Sequence, residues 1–200
     1  MNKLNNLQDI DSYQYDGCYE VMRECVKEYS YVEKSHLDLN DLELVLMIPI
    51  GTWVVPTEKK KELVRASHLE EESKIRLIQL MDNVQQKVNN EEYIHTSDGK
   101  FTNCWGMFGA GFRSVSAVCN DINTACDFIS LLVTTLNTNE DDLFSIVDAT
   151  IKSKALSGLQ AGVLSQVLHC LHPTTFPILN SWGRDIFNAL RLRLRCTTMG

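Results

Sequence analysis

Leu156-Ser-Gly-Leu-Gln-Ala-Gly-Val-Leu-Ser-Gln-Val-Leu-His-Cys-Leu-His-Pro-Thr-Thr-Phe-Pro-Ile-Leu-Asn180-Ser-Trp-Gly-Arg-Asp-Ile-Phe-Asn-Ala-Leu190 is the stretch whose reading decides the fold. It reads as a helix end, a small-residue turn, an apolar helix over Leu159 to His172, a link bounded by prolines, and a last helix over Ser181 to Leu192. Pro173 supplies the stop, because proline lacks the amide hydrogen that would continue the ladder. Gly158 and Gly162 strip side chains from around a helix N-terminus. That leaves backbone N–H groups and a positive dipole end exposed, an arrangement that suits phosphate. Phe176-Pro177-Ile178-Leu179 reads as a short buried plug that would fix the direction of Asn180.

Outward from this stretch the pattern stays helical. Tyr19, Met22, Val26 and Tyr29 recur at three- and four-residue steps, so Asp16 to Lys34 reads as an amphipathic helix. Asn40 to Met47 reads as a short helix ending before the break Ile48-Pro49-Ile50-Gly51, and Pro56-Thr57 opens the next. Ser67 and Glu70 have the spacing of a capping box, in which each side chain satisfies the other residue's backbone donor. The helix they would start runs to about Val88. Asp121 to Leu136, capped by Asn120 or Asp121, and Glu140 to Lys152 follow. Residues 89–112 break the pattern, with Asp98-Gly99 as a turn signal and an aromatic, glycine-rich run from Phe101 to Phe112. There is no strand alternation and no internal repeat. The expected class is all-α and two-lobed, with an acidic N-terminal helical segment (1–55) and a helical core (56–200) that carries the hairpin element at 156–190.

The 200 residues carry 19 basic and 26 acidic side chains, a net charge of −7. Taken whole, that balance argues against a polyanion binder. It conceals a split: residues 1–150 hold 13 basic and 25 acidic side chains, net −12, and residues 151–200 hold six and one, net +5. The positive potential is therefore expected around the Gly158 turn and Asn180 to Arg195. No basic start or apolar run marks a signal peptide, and no apolar run approaches the ~20 residues of a membrane helix. With seven cysteines and no close Cys pair, buried free thiols in a reducing cytoplasm are expected, and neither a metal site nor a cofactor. His169, Cys170 and His172 point in different directions on a helix and make a poor chelate. No G-x-x-x-x-G-K-[ST] phosphate loop is present.

The spacing within 156–180 resembles the helix-hairpin-helix DNA glycosylase pattern, L-x-G-[IV]-G-x-K-T-A followed by an apolar helix and F-x-V-D. Leu156, Gly158 and Leu159 fall on the leading apolar residue, the first glycine and the apolar residue after it. Phe176 to Leu179 falls on the apolar link. The chemistry departs: Gln160 stands for the second glycine, Gly162 for the lysine of Schiff-base members, and Asn180 for the aspartate that offsets charge at the sugar. An amide carries no charge to do this, so the resemblance implies the fold without base excision. Trp105-Gly-Met-Phe-Gly-Ala-Gly-Phe112, the apolar helix after Leu159 and Phe176 to Asn180 also resemble N-terminal specificity regions of McrB-type restriction proteins. That family implies recognition of modified or foreign double-stranded DNA in phage defence, alongside an AAA+ GTPase motor or a nuclease subunit.

The candidate DNA contacts are Gly158, Gln160, Gly162, Asn180, Ser181, Trp182, Arg184 and Arg191, with Arg193 and Arg195 beyond them. Asn180 could read a base edge or cap a helix. Trp182 could stack on a base or pack in the core. Trp105, Phe108, Phe112 and Arg113 are candidates for a base pocket, the aromatic rings having core packing as their alternative. Ser165 and His169, one helical turn apart, are the thin case for a hydrolase. An active glycosylase or lyase, and a protein–protein interaction domain of a defence complex, are the competing functions.

Overall fold

The computed structural model describes residues 17–90, 105–106, 121–156, 159 and 161–177. Over these residues the protein is all-α. Seven helices are α1 (17–29), α2 (Leu39–Met47), α3 (Thr57–Ala66), α4 (Glu71–Asn90), α5 (Ile122–Leu136), α6 (Leu143–Lys152) and α7 (Ala161–Leu171). Single 3₁₀ turns at Lys34–His36 and Glu140–Asp142 precede α2 and α6. Apart from one bridge residue at Ile50, no strand occurs among the described residues. None of their helices is long and apolar enough to cross a membrane.

Local chemistry sets most of the boundaries. Asp121 caps α5, its carboxylate accepting from the N–H groups of Asn123 and Thr124, and the Thr124 hydroxyl, with these backbone bonds behind it, holds its pKa below the ordinary aspartate value. Asp38 caps α2 in a reciprocal box with Asp41, the two carboxylates accepting from orphan N–H groups of the helix start. The box expected at Ser67 and Glu70 is not formed. Ser67 instead closes α3, its hydroxyl donating to the Val64 carbonyl at 2.7 Å, and α4 begins at Glu71. The first helix ends at residue 29, short of Lys34, and the acidic run Glu140–Asp142 forms the 3₁₀ turn ahead of α6. The expected last helix, Ser181 to Leu192, lies outside the described residues.

One contiguous core runs from Cys18 to Phe176. α1 buries Cys18, Val21, Met22, Cys25, Val26 and Tyr29, the three- and four-residue rhythm of a single face. α5 buries Phe128, Ile129 and Leu132 almost completely. α2 packs on α3 and α5, α3 on α4, and α5 on α6. Gly17 allows α1 to meet α4 closely, since a Cβ there would lie 2.5 Å from a Val84 methyl. Across the same junction Glu28, almost buried, accepts from the Ser73 hydroxyl at 2.5 Å and from Arg76 at 2.9 Å.

The break after α2 leaves backbone carbonyls inside the protein, and Lys60 resolves them. This lysine is completely buried. Its ammonium donates to Ile48 O at 2.8 Å and Ile50 O at 2.5 Å and sits 3.9 Å from the ring centroid of Trp105. Carbonyl dipoles and a π face replace the lost hydration, the condition for keeping a buried charge.

Candidate nucleic-acid interface

Residues 153–156, 159 and 161–177 are the described part of the expected DNA-binding element. α6 ends with Lys152 in its last turn, and the Ser153 and Lys154 N–H groups bond back to Ala149 O and Ile151 O. Lys154 is left-handed, φ 60°, the one non-glycine residue with positive φ among those described. Glycine is the usual occupant of this position after a helix, because a Cβ there costs energy. Lys154 is exposed, and Lys152 is paired with Asp148 at 2.5 Å.

Leu156 and Leu159 turn inward, nearly buried, and the Leu159 N–H donates to Leu156 O at 3.1 Å. α7 then starts at Ala161, placing Gly162 in its first turn. No acidic residue lies in that turn. α5 and α6 share this feature, whereas α2 and α4 carry Asp41 and Glu71–Glu72 in their first turns. The positive end of the α7 dipole is thus not offset by side chains of its own first turn.

The far end of α7 is tied down. Arg23 donates through Nε and Nη2 to Leu171 O, both at 3.3 Å, and so satisfies a terminal carbonyl of α7. His169 Nδ1 lies 2.6 Å from Phe176 O, which can only accept, so Nδ1 carries the proton. Nε2 therefore accepts from Tyr19 Oη at 3.1 Å. Phe176 is nearly buried and packs 5.0 Å, centroid to centroid, from Phe144, whereas Pro177, the other described residue of the expected buried plug, is exposed. Burial and the nearby Arg23 hold His172 below the ordinary imidazole value. Hydroxyls of Thr175 and Thr174 hold Glu140 below the ordinary carboxylate value.

Ser165 and His169 do not form a nucleophile–base pair. Ser165 Oγ donates to Gly162 O at 3.0 Å, and both imidazole nitrogens of His169 are engaged elsewhere. Trp105 is fully buried beneath the Lys60 ammonium, with its own Nε1 unpartnered, so it occupies a core position. Gly158, Gln160, Asn180, Ser181, Trp182, Arg184, Arg191, Arg193, Arg195, Phe108, Phe112 and Arg113 lie outside the described residues. Cys18, Cys25, Cys126 and Cys170 are buried free thiols, and burial raises the Cys25 and Cys170 pKa values well above the usual range.

Two constellations have no counterpart in the sequence reading. One is the Lys60 seat. The other is Asp41, a completely buried carboxylate that meets His68 and Asp38. Asp38, Asp41 and His68 form the one group of three metal-ligating side chains within 4.8 Å of each other among the described residues. Compared with known proteins, the chain matches no family model, no curated sequence and no solved structure.

Proposed function

We propose that the protein is a non-catalytic DNA-recognition module, reading modified or foreign duplex for a restriction or phage-defence system. The supporting observation is the exposed, left-handed Lys154 after α6, seven positions before α7, whose first turn carries no acidic residue. A helix N-terminus offers phosphate N–H groups and a dipole end, and Lys154 adds a cation to the same connection. The helix-hairpin-helix glycosylase-like architecture and service to an AAA+ motor or nuclease subunit belong to the same proposal. They rest on the residue pattern of 156–180 and 105–112.

Duplex binding is tested by fluorescence anisotropy at two salt concentrations. Binding should weaken steeply with salt, and Lys154→Gly should flatten the slope by about 0.9 in log–log terms for one lost phosphate contact. The same substitution relieves the left-handed strain, so it should leave stability unchanged or raise it by about 0.5–1 kcal/mol. Weaker binding by an equally or more stable protein is the diagnostic result. Absence of duplex binding at low salt refutes the proposal.

One observation favours an interaction domain as the second reading. A groove of about 720 Å³ runs between α1 and the start of α4, lined by Glu24, Glu28, Glu70 and Arg76 among others, with Tyr31 72% exposed at its edge. A stable protein complex in the absence of any DNA shift would select that reading.

A further inference from the structure

Asp41 is completely buried and accepts four hydrogen bonds from three parts of the chain. Tyr29 Oη and the His68 N–H donate to Oδ1 at 2.9 and 2.8 Å. The Asp38 N–H donates to Oδ2 at 2.8 Å, and His68 Nδ1 lies 3.0 Å from the same oxygen. The Asp38 carboxylate is 3.7 Å from that nitrogen. His68 is 45% exposed at its side chain and Asp38 35%, so solvent reaches the open side.

Two carboxylates converge here, and His68 is the only basic side chain paired with either among the described residues. A neutral imidazole leaves the trio at two negative charges. The proton on Nδ1 is the one donor of the four that a metal ion can replace, because an imidazole nitrogen is a ligand as readily as a donor. The other three donors, Tyr29 Oη and two backbone N–H groups, would remain and hold the carboxylate in place. Ligating carboxylates are normally supported by such outer hydrogen bonds.

We propose that Asp38, Asp41 and His68 bind a divalent transition ion of the zinc class. With metal–ligand bonds of about 2.0–2.2 Å, tetrahedral ligands sit roughly 3.3 Å apart. The observed separations of 3.0 and 3.7 Å around Nδ1 bracket that value. One imidazole and two carboxylates provide borderline and hard donors that together neutralise the ion, and water completes the shell from the exposed side. On binding, the imidazole proton moves from Nδ1 to Nε2 through solvent, and metal-bound waters leave as the three side chains take their places.

The test uses the full chain, stripped of metal and kept reduced with a non-thiol reductant, and zinc binding by calorimetry. One zinc per chain is expected, with a rise in Tm on loading. His68→Ala should abolish binding. Asp38→Asn should weaken it at least about tenfold and leave the fold intact, because asparagine caps a helix as well as aspartate does. Circular dichroism and Tm in chelator check both folds. Cobalt substitution separates this site from the thiols, since an oxygen–nitrogen site gives no thiolate charge-transfer band. Failure of the wild type to bind, equal binding by both folded variants, or a thiolate band from the bound cobalt each overturns the proposal.

Discussion

Replacing Asp41 by asparagine changes one buried oxygen to an amide nitrogen and leaves the volume the same, so the loss can be worked atom by atom. If the nitrogen takes the Oδ2 place, it faces the Asp38 N–H and His68 Nδ1. His68 can adopt its other tautomer and accept from the amide, but the Asp38 N–H has no such freedom. If the nitrogen takes the Oδ1 place, the Tyr29 hydroxyl can rotate to accept, and the His68 N–H is stranded instead. Either way one part-buried backbone donor loses its acceptor, at about 1–3 kcal/mol, and the surviving bonds lose a charged acceptor. The expected destabilisation is about 3 kcal/mol, a large part of a typical folding free energy of about 5–15 kcal/mol. Urea unfolding followed by circular dichroism should show the midpoint falling by about 1–2 M. Asp38→Asn serves as the control, expected within about 0.5 kcal/mol of wild type. A loss below about 1 kcal/mol in Asp41→Asn would refute the view that this carboxylate holds three chain segments together.

Gly106 has φ 111°, and a Cβ there would lie 2.6 Å from Ile50 O, a backbone atom held in turn by Lys60. Gly106→Ala should therefore cost more than about 2 kcal/mol. The three atoms nearest a Cβ at Gly51 all belong to the half-exposed Trp53 ring, so Gly51→Ala should cost markedly less in the same unfolding assay. Burial alone would raise the Glu28 pKa, but the Ser73 hydroxyl and Arg76 pull it below the ordinary value of 4.5. A depressed carboxylate stabilises the fold above its unfolded pKa, and that contribution disappears as pH falls through the folded value. Glu28→Gln should thus melt below wild type at neutral pH, with the gap closing below pH 4.5. A gap that widens on acidification would contradict the assignment. Native alkylation resolved by peptide mass should leave Cys25 and Cys170 unmodified until denaturant is added; rapid native labelling of either would show that its burial is not maintained.

Elements marked by a local signal were legible in the sequence. Asp121 before an apolar-periodic run, Pro49 after Met47 and Pro173 after Leu171 all act on atoms within four residues of themselves. The Ser67 and Glu70 spacing misled because a serine hydroxyl has two local options at a helix boundary. Here it reached back to Val64 O and closed the earlier helix. Lys60 was illegible for a different reason. Within Lys59-Lys60-Lys61 nothing local distinguishes the middle residue, which is buried because Trp105 closes over it from a distant segment. The Asp41–His68 contact likewise spans 27 positions. Periodicity gives the buried face of a helix, but it carries no record of which segment supplies the partner for a polar group on that face.

α1 connects the two regions of interest. Its last residue, Tyr29, donates to Asp41, and Cys18, Tyr19 and Arg23 hold the C-terminal half of α7. Ten residues of helix between Tyr19 and Tyr29 span about 15 Å, beyond the range of about 7–10 Å over which substitutions usually couple. Substitutions at the Tyr29–Asp41 contact and at the Tyr19–His169 contact should therefore be close to additive. The anchored end of α7 also sets a requirement for DNA recognition. Under the proposed DNA recognition, a phosphate at the Gly162 end would meet a helix whose far end is already fixed by Arg23, Tyr19 and Phe176, which would lower the ordering cost of binding.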